Sequence, residues 1–208
     1  MVRADKWYVW VATLAILAAV VPAVRVEAAA GKATELQAAL RDLLVGHAVW
    51  VRTVVVATRL GDREAARVAD RKAVENARAI GQALAPLYGQ DAATAFGNLF
   101  TGHYRAVKAF LDATLEGNET RRKAAVDRMT KNAGEIAAFL NGANPNLPKD
   151  AVLSLLGAHA AHHVAAIDAT RRRDWAREAE VWDMMVKHLY KIADALTDGI
   201  VKQFPDRF

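Results

Sequence analysis

The chain has 208 residues, 53% hydrophobic and 25% charged, with a formal net charge of +5. That is enough apolar material for one domain with its own core. The absence of cysteine excludes disulfides, thiolate catalysis, Cys-ligated zinc, iron–sulfur clusters and c-type haem attachment, so stability has to come from packing.

The chain opens on a short basic stretch, "MVRADK", followed by the uncharged apolar run "WYVWVATLAILAAVVPAV" (Trp7 to Val24) and then "VEAAAGK". Ala28-Ala29-Ala30 satisfies the small-x-small rule for processing, so residues 1–30 read as a secretory signal cut near Ala30. The alternative is an uncleaved membrane anchor, because 18 apolar residues just span a bilayer. No cysteine follows, which excludes a lipoprotein anchor. The expected compartment is periplasmic or extracellular, with membrane contact only through an uncleaved N-terminal segment. Residues 31–208 hold 25 basic and 21 acidic residues, well mixed, for a net of +4. The one dense basic cluster, "RRRDWAR" (Arg171 to Arg177), reads as a solvated helix end, and no nucleic-acid partner is expected.

Beyond the leader, the sequence repeats with a period of 56 residues. "GHAVWVRTVVVATRLGD" (Gly46–Asp62), "GHYRAVKAFLDATLEGN" (Gly102–Asn118) and "AHAAHHVAAIDATRRRD" (Ala158–Asp174) align, with His47, His103 and His159 in register. Downstream, Asn76, Asn132 and His188 match, as do Ile80, Ile136 and Ile192. In chain order, Leu36, Leu40, Leu43, His47, Val51, Val54 and Thr58 recur at three- and four-residue steps and predict a first buried helix. A turn at "LGD" follows, with Asp62 as N-cap, and then a helix carrying Ala69, Ala73, Asn76, Ile80 and Leu84. The link "PLYGQD" leads to the second copy: Phe96, Leu99, His103, Val107, Phe110 and Thr114, a turn at "EGN", then Ala125, Met129, Asn132, Ile136 and Leu140. "NGANPNLPKD", with two prolines, breaks the chain before the third copy. That copy has Val152, Leu155, His159, His163, Ala166 and Thr170, a turn at "RRD", then Val181, Met185, His188, Ile192 and Leu196. The predicted fold is all-α: six helices in an up-down bundle of three hairpins over residues 35–205. A short solenoid is the alternative.

The hairpin register places polar residues at one height. His47 lies 14 residues before Gly61 and Asn76 lies 15 after it, so both stand about 21–22 Å from the turn at 1.5 Å per residue. The other two hairpins count the same way, which predicts a buried layer of His47, Asn76, His103, Asn132, His159 and His188. Unpaired polar groups in an apolar core cost roughly 2–7 kcal/mol each in transfer terms, so the layer must be hydrogen-bonded, watered or ligated. Three uses compete. The first is a transition-metal site for Zn, Cu or Fe, with His47, His103, His159, His163 and His188 as candidate ligands. His159 and His163 have the i, i+4 spacing of two imidazoles on one helix face, and Asn76, Asn132 and His162 would orient the ligand rings. The second is a hydrogen-bond network that only sets helix register. The third is a pocket for an organic ligand or haem contacted by His159 or His188. Met129 and Met185, three residues before Asn132 and His188, suit Cu(I) or serve as core filler. The buried stripes carry no Asp or Glu, against a carboxylate-bridged di-iron site. Asp112 and Asp168 flank the stripes and read as salt-bridged helix edges. No Ser/His/Asp set, phosphate loop or HExxH is present. The expected role is metal binding or sensing, the alternatives being a scaffold domain and a metal-dependent hydrolase or transferase with three His and an open position.

The segments "FLNGANPNLP", "IADALTDGIVKQFPDRF" and "LRDLLVGHAVWVR" together resemble a family of small exported or surface-associated bacterial helical proteins, over about residues 36–208. Members sometimes carry a glycosyltransferase label, but this chain lacks a nucleotide-binding α/β pattern and an acidic metal-diphosphate motif. Separately, "LLGAHAAHHVAAID" (Leu155 to Asp168) is similar to the last His-bearing helix of DinB-like metal bundles. That resemblance implies a triad of His47, His159 and His163.

Overall fold

The protein is seen here as a computed structural model that describes the backbone of residues 7–208 and the side chains of residues 31–208. The expected export signal at residues 1–30, and its cleavage point, lie outside the residues described in full. The fold is all-α, with no strand among the described residues. Its elements are α1 (Trp7–Leu60), α2 (Arg63–Gln82), the one-turn α3 (Ala85–Tyr88), α4 (Gln90–Glu116), α5 (Glu119–Ala143), α6 (Lys149–Arg172), α7 (Trp175–Gln203) and a terminal 3₁₀ turn (Pro205–Arg207).

The turns form where the sequence places them, and by the expected chemistry. Asp62, Asn118 and Asp174 each accept a hydrogen bond from the backbone N–H three residues on, which satisfies an orphan donor of α2, α5 and α7. Before each cap the chain passes through a left-handed residue: Gly61 (φ 81°), Gly117 (φ 69°) and Arg173 (φ 59°). "PLYGQD" differs from expectation. It was expected as a link only, but Pro86 lies in the first turn of α3, where a fixed φ and a missing N–H cost nothing. Leu84, expected as the last core position of α2, is buried from the junction instead.

Each long helix packs on its neighbour in the chain, and α7 returns to pack on α1, so α1, α2, α4, α5, α6 and α7 close a ring of contacts. The contacts α1–α4, α1–α6 and α4–α6 cross the interior. These three His-bearing helices therefore meet one another, while α2, α5 and α7 fill between them. The α2–α4 approach depends on glycine. A Cβ on Gly81 would lie 2.5 Å from the Ala93 carbonyl oxygen and 2.6 Å from the Gly97 nitrogen, so the two backbones touch. Among the described residues, one helical stretch, Gly31–Leu60, is long and apolar enough by length and composition to cross a membrane. Here it serves as a core helix, with Leu40, Leu44, Ala48, Val51 and Val54 at most 3% exposed.

The core is in two parts. One holds Leu40, Leu44, Ile80, Phe96, Phe100, Ile136 and Leu189, and the other Val51, Val54, Tyr104, Val107, Phe110 and Ile167. In sequence, the histidines of α4 and α6 fall between the members of the two parts, and His47 of α1 stands at the edge of the first, beside Ala48. A polar layer sits where an unbroken apolar core would otherwise run.

Candidate metal centre

His47, His103, His159 and His163 come together in that layer. One ligand nitrogen from each lies within 4.8 Å of those of the other three. The residues are 0%, 5%, 2% and 4% exposed, so water does not solvate the rings. His47, His103 and His159 arrive from three helices with ring centroids 5.4–6.4 Å apart. His163 stands one turn along α6 from His159, its ring 4.5 Å away at 78°, and their Nε2 atoms are 3.1 Å apart. Phe100 closes one side with an edge contact to His47 at 5.1 Å.

The hydrogen-bond supply of this cluster is short. Both ring nitrogens of His47, Nε2 of His103 and Nδ1 of His159 are buried without a partner. Burial dominates their protonation. It pushes His47 down to about 3, with His103 nearby adding to the shift, and His103 down to about 4. His159 and His163 are held well below the ordinary imidazole range, first by burial and then by neighbouring histidines. All four are therefore neutral at physiological pH, the state in which imidazole offers a lone pair to a metal. A tetrahedral zinc with Zn–N of about 2.0–2.1 Å needs nitrogens about 3.3 Å apart. The His159–His163 pair is already that close, and the ligand nitrogens of all four lie within 4.8 Å of one another.

The remaining expected residues have other work. Asn76 and Asn132 do not bond the histidine rings. Their Nδ2 atoms donate to the carbonyls of Leu43 and Leu99 at 3.1 and 3.0 Å, each four residues before the histidine of the facing helix. His188 does the same job between α7 and α6, its Nε2 lying 2.8 Å from the Leu155 carbonyl. Its ring stacks at 6.5 Å on His159, but it is not one of the four grouped histidines. Half-buried His162 faces His188 with centroids 5.4 Å apart. Gly46 and Gly102 make room for the amides, since a Cβ on either would sit 3.3 Å from the Asn Nδ2. On α6, Ala158 directly precedes His159 where glycine precedes His47 and His103.

Glu178 corrects the expectation that no carboxylate is buried. It is 3% exposed and accepts two hydrogen bonds from Arg52, Nε–Oε1 2.6 Å and Nη2–Oε2 2.7 Å. The Arg52 guanidinium lies 4.9 Å over the Trp182 ring. The sequence signal was present: Glu178 continues the stripe Val181, Met185, His188 one turn back. Glu178, Arg52, Met185, Thr170 and His163 border a cavity of about 20 Å³, room for about one water. Asp112 and Asp168 pair at helix edges with Lys108 (2.8 Å) and Arg122 (3.0 Å). Met129 is core filler 3% exposed.

No protein-family model, curated protein or solved structure matches the chain.

Proposed function

We propose that this is an exported protein that binds one transition-metal ion through His47, His103, His159 and His163. The host is an up-down bundle of six long helices built from three copies of one 56-residue hairpin. The cluster carries this reading: four buried histidines each place one ring nitrogen within 4.8 Å of the others, and His47, His103 and His159 hold buried ring nitrogens without a hydrogen bond. A network that only set helix register would be expected to pair its members, since a half-satisfied one is worse than an apolar core. Ligation uses one nitrogen on each ring and neutralises nothing, because the rings are already neutral.

Three turn positions, three N-caps and three side chain-to-carbonyl bonds recurring at steps of 56 residues support the repeat. His163 breaks it, replacing buried Val51 and Val107 of the other hairpins. The pair His159/His163 with His47 keeps the arrangement of the DinB-like resemblance, and His103 adds a fourth donor. Four imidazoles suit Zn²⁺ in a closed site, and Cu or Fe accept the same donors. A closed set favours binding or sensing over turnover.

Zn²⁺ titration into chelator-treated protein tests the proposal. One equivalent should bind and raise the melting temperature. His163→Val should weaken binding by more than about 100-fold, beyond the 10–100-fold cost of losing a supporting contact. His188→Asn, which installs the residue of the other hairpins, should leave binding within about tenfold, at most the lower end of that cost. Less than roughly a tenth of an equivalent of any metal in protein from its native compartment, with melting unchanged by Zn²⁺ or Cu, overturns it.

A further inference from the structure

On one side of the histidine layer the core is not filled. An apolar chamber with about 60 Å³ of space runs between α1, α4, α5, α6 and α7. It reaches from His159 to Tyr88 and Asn144 and follows α4 from Ala92 to Phe100 and α7 from Leu189 to Ile200. At 1.5 Å per residue its length is about 12–16 Å. Phe100, Ile136, Leu156 and Leu189 form its walls near the histidines, all at most 8% exposed.

The polar groups at the far end are already engaged. Asn144 Nδ2 donates to the Tyr88 hydroxyl at 3.0 Å, Tyr88 donates to Gln203 Oε1 at 2.7 Å, and Asn144 Oδ1 accepts from the Asn146 N–H at 2.9 Å. At the near end, His159 Nδ1 is buried and unpaired. A buried water needs two to four polar partners, and the chamber does not provide them. The space corresponds to about four to six water-sized volumes, yet the walls are those of a dry cavity.

We propose that this chamber is a binding site for a small uncharged apolar molecule without hydrogen-bonding groups, of the size of a diatomic gas or a short alkyl chain, held against His159. The site stands on the chamber walls and does not require a metal at the histidines.

Xenon is the probe. Crystals of the full chain pressurised with xenon, with and without prior chelation, should show the atom between Phe100, Ile136, Leu156 and Leu189. Solution xenon exchange should report the same site, and n-pentane should compete for it if the guest is alkyl. Leu156→Phe or Ile136→Phe, each filling the chamber from a different helix, should remove xenon while the helical circular dichroism is retained. No xenon in the wild-type chamber, ordered waters along it, or xenon uptake unchanged in a folded filled variant overturns the proposal. Xenon bound in a protein that takes up neither Zn²⁺ nor Cu and carries no metal from its native compartment would leave the chamber standing and sink the metal reading alone.

Discussion

Acidifying the metal-free protein should unfold it well before its carboxylates titrate. The unfolded chain protonates a histidine near 6.5, whereas burial holds His47 near 3 and His103 near 4 in the folded state. Between those values the unfolded state binds more protons, so the stability of neutral burial is fully present above pH 6.5 and is lost as pH falls toward the folded values. At about 1.4 kcal/mol per pH unit, each of the two histidines forfeits about 2 kcal/mol between pH 8 and pH 5. Together that is about 4 kcal/mol, and His159 and His163 shift the same way. Domains of this kind hold about 5–15 kcal/mol in all. Urea unfolding of chelated protein, followed by far-ultraviolet circular dichroism at pH 8, 7, 6 and 5, measures the loss directly. His47→Leu should remove about a quarter to a half of the pH-dependent part. Added Zn²⁺ should raise stability most at pH 7–8, with the gain shrinking on acidification, because protons and metal compete for the same nitrogens. A chelated protein whose stability changes by less than about 1 kcal/mol from pH 8 to pH 5 would refute the reasoning, since the imidazoles would then be protonated inside the fold.

Arg52→Ala leaves the 3% exposed Glu178 carboxylate unpaired and should cost about 3–5 kcal/mol, whereas Arg52→Leu with Glu178→Leu should recover most of it; chemical denaturation checks both. Arg173→Gly relieves a left-handed residue (φ 59°) and should stabilise by about 1 kcal/mol, read as a higher melting temperature, with Arg173→Ala giving no such gain. Gly81→Ala drives a methyl into the α4 backbone at 2.5 Å and should destabilise by about 1–3 kcal/mol. Gly102→Ala crowds Asn132 Nδ2 at 3.3 Å, so its cost should fall in an Asn132→Ala background, and a double-mutant cycle should show the coupling.

The helices and turns were legible because each is set locally. Three- and four-residue spacing marks the buried faces, Asp62, Asn118 and Asp174 hold their caps within a few residues, and "LGD" and "EGN" supply the left-handed turn residue. At the α6–α7 turn no glycine is present, and Arg173 itself takes the left-handed conformation (φ 59°). The histidines of the layer were legible too, through a period that puts His47, His103 and His159 at one distance from equivalent turns. Their partners were not. The count from the turn gives height along a hairpin but not the direction of a side chain, so Asn76 and Asn132 were expected on the rings and instead bond the carbonyls of Leu43 and Leu99. Glu178 stands on the same stripe, but a carboxylate is almost never buried unless paired, and its partner Arg52 lies 126 residues away.

The sequence by itself determined an all-helical chain, the ends of its helices, and which residue types had to leave solvent. Those are consequences of local conformation and of periodicity. Only the tertiary structure decided that His163 joins His47, His103 and His159 while His188 turns away to a backbone carbonyl, and that space is left beside the cluster. Both depend on how α1, α4 and α6 meet across the interior. The angle and spacing of that contact come from the summed shapes of side chains far apart in sequence, and no local signal carries them.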